Sequence, residues 1–251
     1  MKTHHKTIAV IAVVVLILAV VYFKTLYRLS YQVSGSLEKE ESLTILYADQ
    51  DRGLDIESTI WDKIEPVKVK LFPQSARTSF GRYEREIMVR GVYNEKDMAI
   101  LVEYPDETES RTGLVKPDSS AVLFVPGDSP AVSQMMGFES KANIWQWSAS
   151  RDMERYFENK QNINPVKEMV AVGPTTQAAM EMQNVTGRGI YENSRWRVLY
   201  IRKMAKQQKD DLELGSDTKV KIAFAVWDGE RLETFSRKSI SILRNLVFGE
   251  K

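Results

Sequence analysis

Two adjacent methionines, Met135 and Met136, lie in the segment 124–147, and two tryptophans follow them. A thioether sulfur can ligate a transition metal, so this pair could take part in cofactor chemistry. Taken by itself, a methionine pair is more typical of side chains that fill gaps in a core. Trp145 and Trp147 are two residues apart and point to the same side of a strand. This spacing favours a core position or a carbohydrate-stacking face.

Lys238 lies between Arg237 and Ser239 near the end of the chain. Lysine is rarely buried, so the local pattern predicts a solvated charge. Gly187 and Gly189 do not form a phosphate-binding loop, because the pattern is short and no helix follows to offer its N-terminal amides. These residues therefore indicate no chemistry when they are considered alone.

The composition excludes many functions. The chain has 251 residues and a formal net charge of +1, which is no electrostatic footprint for nucleic acid. It contains no cysteine, so it has no disulfide, zinc–thiolate site, iron–sulfur cluster or covalently attached c-type haem. Its two histidines, His4 and His5, precede the first apolar run, which excludes a Ser-His-Asp triad in the folded part. A bound transition metal would need Met, Lys, Tyr, Asp or Glu as its ligand.

The elements that must position these residues are mostly short strands. Alternating or continuous apolar runs predict strands at residues 67–71, 99–104, 121–125, 195–200 and 220–226. Asp228-Gly229 is a strong turn signal at the end of the last run. One short helix is predicted over residues 151–160 with Ser150 as its cap, and residues 169–182 look irregular. The fold class predicted is mainly β: an antiparallel β-sandwich with a few short helices.

The N-terminus adds a predicted membrane helix. Residues 8–23 contain no charge and no proline and, extended by residues 25–27, approach the ~20 residues that cross a bilayer. A cleaved signal peptide is the alternative, but no small-x-small cleavage site follows the run. Either reading places the rest of the chain outside the cytoplasm. We therefore predict an anchor at 1–29, a stalk at 30–42 and a domain at 43–251, on the periplasmic side of the cytoplasmic membrane.

Several segments together resemble a known family: the haem b-binding gamma subunits of type II enzymes of the dimethyl sulfoxide reductase superfamily. This family includes ethylbenzene and dimethylsulfide dehydrogenases, selenate, chlorate and some nitrate reductases, and nitrite oxidoreductase. Four blocks carry the resemblance, in the expected order, over residues 54–246. They are LDIESTIWDKIEPVKVKL, in which Trp61 precedes the first predicted strand; SSAVLFVPGD followed by MMGFESKANIWQW; VTGRGIYENSRWRVLYIRKM; and VKIAFAVWDGERLETFSRKSIS.

The resemblance implies a β-sandwich that holds one haem b between two axial ligands. One ligand is a methionine before the NIWQW motif, and the other is the lysine of the RKSIS motif. Carried over, the iron ligands are Met136 (or its neighbour Met135) and Lys238. The lysine must lose its proton to ligate, so burial and the iron must favour its neutral form. The resemblance also suggests further pocket residues: Asn143, Trp145 and Trp147 as walls, with Lys141 and Arg237 as candidates for the haem propionates.

Two protein ligands leave the iron without an open position, so the resemblance implies electron transfer and no catalysis by this chain itself. Its partners would be an iron–sulfur (beta) subunit, a molybdopterin catalytic (alpha) subunit, and a c-type cytochrome or quinone-linked acceptor. The alternative is a cofactor-free carbohydrate- or ligand-binding module. In that case Trp61, Trp145, Trp147, Trp196 or Trp227 would be exposed stacking platforms.

Overall fold

The structure is a computed structural model, and it describes residues 21, 42–48, 54–74, 85–112, 116–127, 141–157, 163–173, 176–209 and 211–251. The chain divides into two units, Met1–Glu41 and Ser42–Lys251. Of the first unit only Val21 is described, as a helical residue. Within the described ranges, no helix is long and apolar enough to cross a membrane. Apart from Val21, the predicted membrane segment 8–23 lies outside the described residues.

The second unit is built mainly from strands, as predicted. In the described residues they are β1 (Ser42–Tyr47), β2 (Val67–Pro73), β3 (Arg85–Tyr93), β4 (Asp97–Pro105), β5 (Ser119–Pro126), β6 (Ala142–Ser148), β7 (Val166–Ala171), β8 (Ala178–Ala179), β9 (Val185–Glu192), β10 (Arg195–Lys203), β11 (Val220–Trp227), β12 (Ser239–Ile240) and β13 (Arg244–Phe248). One α-helix, α1 (Ala149–Phe157), and one 3-10 helix, Trp61–Lys63, accompany them.

The strands form one continuous sheet with the order β8-β7-β6-β5-β11-β12-β2-β3-β4-β10-β9. We call β8-β7-β6-β5-β11-β12 the first half of this sheet and β2-β3-β4-β10-β9 the second half. Neighbours along this path are antiparallel. The expectation of a purely antiparallel sandwich is wrong for β1, which pairs in parallel with both β13 and β3.

All five predicted strands are present, each extended by one to three residues. Three local expectations are wrong. Helix α1 begins at Ala149, so Ser150 lies inside it; the Ala149 amide donates to the Asp118 carbonyl at 2.9 Å. The region 169–182 is partly regular, because it contains the end of β7 and all of β8. Strand β1 precedes Trp61, so that residue does not come before the first strand of the domain.

The main core lies between the two halves of the sheet. The rings of Trp145 in β6 and Tyr200 in β10 are 6.5 Å apart, and those of Trp147 and Trp196 are 4.8 Å apart. The hydroxyls of Ser120 and Tyr200 lie 2.7 Å apart in the same layer. These side chains are all buried, so the large rings of one half fill the space above the other.

A second apolar cluster covers the outer face of the second half. Ile56, Ile60 and Trp61 pack there against Leu101 and Leu199. The Trp61 indole nitrogen donates to the Asp55 carbonyl at 2.8 Å, which satisfies its buried N–H group. The segment before β2 therefore closes one outer face of the sandwich.

Candidate functional site

Lys238 lies on the outer face of the first half of the sheet. In the antiparallel register of β11 and β12, Val226 pairs with Ser239 and Ala225 with Ile240. Lys238 therefore lies opposite Trp227, at the end of β11. Val226 and Ser239 are buried toward the core, and the next position therefore points outward. The Lys238 ammonium is 5.1 Å from the centroid of the Trp227 ring.

Burial disfavours the charge of Lys238. Its Nζ donates to the Phe235 carbonyl at 3.0 Å, which fixes the side chain against the turn. Burial lowers the pKa of the Lys238 ammonium to about 8, because removing water penalises the charged form. Lys238 is therefore partly buried, whereas the local pattern predicted a solvated lysine. A neutral amine, which can ligate a metal, is easier to obtain here than on an open surface.

The outer face beside Lys238 is apolar and made of small or partly buried side chains. Ala225 pairs with Ala121, and Ala223 pairs with Leu123. Leu123 in turn pairs with Ile144 in β6. Alternation along β5, β6 and β11 places these five side chains on the face opposite Trp145 and Phe224. The sequence reasoning missed this surface, although its signal was present: residues 222–227 carry no charge on either side of the strand.

The turn between β11 and β12 is held by buried ionic groups. The Arg85 guanidinium lies 2.6 Å from Asp228 and 3.5 Å from Glu233. The Asp228 amide donates a hydrogen bond to the Glu233 carboxylate at 2.9 Å. The Glu233 amide donates one to the Asp228 carbonyl at 3.1 Å. These contacts give the segment that carries Lys238 a defined shape.

The predicted wall residues lie on the inner side of the sheet. Trp145 and Trp147 share one face, as their spacing predicted, and both are fully buried. The Trp145 indole donates to Asn143 at 2.5 Å, and Asn143 donates to Glu168 at 3.0 Å. The Trp147 indole donates to Asp152 at 2.8 Å. Their contacts are thus with the core between the two halves, and their role as walls of a cofactor pocket stays a prediction.

The two candidates for contacts with haem propionates are not brought together. Lys141 is exposed just before β6, whereas Arg237 is partly buried beside Lys238. Ser148, at the other end of β6, pairs with Ser119, which pairs with Trp227. Lys141 is therefore about 23 Å along the strand from the level of Lys238. Among the described residues, the buried Nε of Arg237 has no hydrogen-bond acceptor.

Met135 and Met136 lie outside the described residues, in the segment 128–140 between β5 and β6. One described methionine, Met169 in β7, also belongs to the outer face, because it pairs with Ile144. It is four strands away from Lys238, on the order of 19 Å across the sheet. Met169 and Lys238 are therefore too far apart to ligate one metal ion.

A trio of buried carboxylates, which the sequence reasoning also missed, lies at the loop end of the sheet. Oxygens of Asp106, Asp118 and Asp228 are all within 4.8 Å of one another. Asp118 accepts hydrogen bonds from the Gly229 amide at 2.8 Å and the Trp196 indole at 3.0 Å. Burial, with the charges of Asp118 and Asp228, raises the pKa of Asp106 to about 7. These contacts tie three loops together.

Comparison with known families identifies the chain. A family model described as ethylbenzene dehydrogenase matches residues 58–168 and 168–239, which is more than half of the chain. The chain belongs to the ethylbenzene dehydrogenase family. Members of this family bind haem b. The matched residues include Lys238 and the segment that holds Met135 and Met136.

One relative extends this family assignment. Over 203 residues the chain is 24% identical to a Haloferax mediterranei protein named respiratory nitrate reductase heme subunit ORF7. The match covers 76% of this chain and 67% of the relative. The name of that protein describes it as a haem subunit of a respiratory nitrate reductase.

Solved structures share the fold. A family 9 carbohydrate-binding module from Caldicellulosiruptor kristjanssonii, in complex with glucose, has a TM-score of 0.52 at 9% identity. The alignment covers 84% of this chain and 97% of the module. A structure from Bacteroides uniformis, described as a carbohydrate-binding protein, has a TM-score of 0.54 at 8% identity, with 83% and 99% covered. At such low identity the likeness concerns the fold alone.

The tryptophans do not support sugar stacking. Of the five tryptophans considered as stacking platforms, four have an exposed fraction of 1% or less: Trp61, Trp145, Trp147 and Trp196. Trp227 is partly exposed, but the Lys238 ammonium lies over its ring. The expectation that these rings form exposed platforms is therefore wrong for the four buried ones.

Proposed function

We propose that this chain is an electron-transfer subunit that holds one haem b against the outer face of the first half of the sheet. The observation that carries the proposal is the position of Lys238. It is the lysine that the family resemblance assigns as an iron ligand, and it lies in a partly buried, apolar setting that lowers its pKa. A lysine of lowered pKa beside an apolar surface is a candidate functional residue.

The surface beside Lys238 fits a flat apolar group. Ala225, Ala223 and Ala121 have short side chains, so a porphyrin could approach the sheet closely. Leu123 and Ile144 offer partly buried apolar contacts on the same face. The unpartnered Nε of Arg237 offers a donor to a carboxylate at the rim of such a group. The residues present thus suit both the ring and its acidic substituents.

The thioether ligand would come from Met136 or Met135. Met136 is five residues from Lys141, so their Cα atoms are at most about 18 Å apart. Lys141 lies at the far end of β6 from Lys238, and the inner face of the sheet is filled by buried rings. A methionine that shares a metal ion with Lys238 would therefore have to reach it at the outer face.

When bound, haem b would take up and release one electron. Lys238 and Met136 or Met135 would ligate the iron, and the bound haem would supply one-electron transfer. The apolar outer face would exclude water, and the buried ionic groups around Asp228 would hold the lysine-bearing turn in place. This chain would therefore relay electrons without catalysing the reaction of the complex.

The wider assignment follows from the family. The partners proposed are an iron–sulfur (beta) subunit, a molybdopterin (alpha) subunit, and a c-type cytochrome or quinone-linked acceptor. The uncharged run 8–23 supports an N-terminal membrane anchor that leaves the domain on the periplasmic side. A mature protein that begins downstream of this run would contradict the anchor.

An absorption spectrum of the purified full chain, oxidised and reduced, tests the proposal. We expect a Soret band that shifts reversibly on reduction. Lys238→Ala and the double variant Met135→Ala/Met136→Ala should each alter the spectrum. Matched controls are Lys167→Ala, in β7, and Met88→Ala, in β3 of the second half of the sheet. A colourless folded protein, or unchanged spectra in both ligand variants, would refute the proposal.

A further inference from the structure

The buried carboxylates of Asp106, Asp118 and Asp228 close one end of the core. Each continues the inner-face alternation of its strand: β4 in the second half of the sheet, and β5 and β11 in the first. The three side chains therefore meet between the two halves, and each residue is less than a tenth exposed. They come from three separate segments of the chain.

The spacing of these carboxylates suits one hard cation. One oxygen from each lies within 4.8 Å of the other two. Calcium binds oxygen ligands at about 2.3–2.6 Å, so two ligands on one ion can lie up to about 5 Å apart. Magnesium binds at about 2.0–2.1 Å in a strict octahedron and would require the carboxylates to move closer together. The geometry therefore favours calcium.

Two of the three carboxylates lack a cationic partner. The guanidinium groups of Arg85 and Arg231 form ion pairs with Asp228, and Arg85 also pairs with Glu233. Among the described residues, no lysine or arginine forms an ion pair with Asp106 or Asp118. Other basic side chains of these loops make no ion pair with the trio: Arg111, which pairs with Glu109, Lys116, which is exposed, and Arg237. Buried charges are normally paired or bound to a metal ion.

The hydroxyl of Tyr104 points to a ligand independently of the carboxylates. Tyr104 is 1% exposed, and its hydroxyl has no hydrogen-bond partner in the described part of the chain. It precedes Asp106 by two residues in β4, so both side chains lie on the same face. Burial and the charges of Asp118, Tyr200 and Asp106 raise the pKa of this hydroxyl well above its ordinary value, which places it near the trio. Native structures rarely leave such a buried polar group unsatisfied.

We infer that Asp106, Asp118 and Asp228 form a site for one structural calcium ion, with the Tyr104 hydroxyl beside it. The hydroxyl oxygen would ligate the ion or accept a hydrogen bond from a water bound to it. The ion would neutralise the two carboxylates that have no ion pair. It would also tie together the end of β4, the loop before β5 and the turn after β11. The site shares no residue with the proposed haem contacts, so the inference does not depend on the haem.

The test is calcium titration of the purified full chain after removal of metal ions with EDTA. Calorimetry should give one calcium ion per chain, with a dissociation constant of about 1 mM or tighter. At about a hundredfold excess over that constant, the midpoint of thermal unfolding should rise by about 5–10 °C. Sodium chloride at matched ionic strength and magnesium chloride at the same concentration are the controls, and both should raise the midpoint less.

Two conservative variants locate the ion. Asp106→Asn keeps an acceptor for the Thr108 amide but loses the charge, and Tyr104→Phe loses only the hydroxyl. Each should weaken calcium binding by about tenfold or more, the equivalent of one lost ligand or hydrogen bond. In EDTA neither variant should be less stable than the wild type at neutral pH, because each removes an unpaired buried group. Asp62→Asn, which changes an exposed aspartate, is the matched control and should bind calcium normally.

The outcomes decide the inference. A wild-type chain that neither binds calcium nor gains stability from it overturns the site. An equal gain from sodium chloride would mean general screening of charge, and an equal gain from magnesium would contradict the assignment to calcium. If either variant binds calcium as tightly as the wild type, the ion is not held as proposed. Weakened binding in both variants, with normal binding in Asp62→Asn, supports the site.

Discussion

The two faces of strands β5, β6 and β11 are both apolar, but they are filled differently. The inner face carries large rings, such as Trp145 and Phe224, that are buried against the second half of the sheet. The outer face carries small or partly exposed side chains, such as Ala225 and Leu123. The difference teaches that the prominent aromatic residues of this chain build the fold, whereas the alanines beside Lys238 leave the outer face of these strands less filled.

The largest expected effect concerns the inner face. Trp145→Ala should lower the free energy of unfolding by about 3–5 kcal/mol, because it removes a fully buried ring and its bond to Asn143. Denaturant unfolding of the full chain measures this change. A loss below about 1 kcal/mol would contradict the structural role assigned to Trp145, and with it the contrast between the two faces.

The second prediction concerns the trio of buried carboxylates, Asp106, Asp118 and Asp228. The pKa of Asp106 is about 7 in the folded chain, above the ordinary value of an unfolded aspartate, so folding favours the protonated form. Asp106 therefore contributes most to the free energy of unfolding below about pH 4. This contribution, up to about 4 kcal/mol, is lost as the pH rises toward 7.

Asp106→Asn should remove this loss of stability with rising pH, because asparagine keeps an acceptor for the Thr108 amide but cannot ionise. The measurement is the free energy of unfolding of both proteins at pH 5 and pH 8. The variant should be the more stable of the two at pH 8, with a smaller difference at pH 5. Parallel curves for both proteins would exclude Asp106 as the titrating group.

The third prediction concerns packing around Trp147. A Cβ atom at Gly189 would overlap the Trp147 ring, so Gly189→Ala should cost about 1–3 kcal/mol of stability. Gly215→Ala is the control, since a Cβ atom there would meet nothing within 4 Å. Thermal unfolding of both variants measures the difference. Equal stabilities would mean that the inner face is more loosely packed than the structure indicates.

The smallest effect on stability is expected on the outer face. Ala225→Leu adds volume to a partly exposed position, so we expect a change in unfolding free energy within about 1 kcal/mol. If the haem lies on this face, haem affinity should nevertheless fall at least tenfold, or about 1.4 kcal/mol. Haem titration of the apoprotein measures this loss. Unchanged affinity would move the haem away from Ala225 and weaken the contrast between the faces.

Much of the fold could be predicted from local pattern. The apolar alternation of residues 220–226 and the Asp228-Gly229 turn predicted strand β11 and its end correctly. The parallel pairing of β1 could not be predicted, because pairing between residues far apart in the chain leaves no local signal. The setting of Lys238 was also hidden, since its neighbours in sequence, Arg237 and Ser239, are polar.

The sequence by itself determined which chemistries are possible. Without cysteine, and with histidine confined to positions 4 and 5, a metal in the folded part can be bound only by other side chains. Tertiary structure alone decided where those side chains lie. It placed Trp145 inward and Lys238 outward beside Trp227, because strand register and the packing of the two halves set the burial of each residue. Burial in turn set the pKa of the lysine, and no local pattern carries that information.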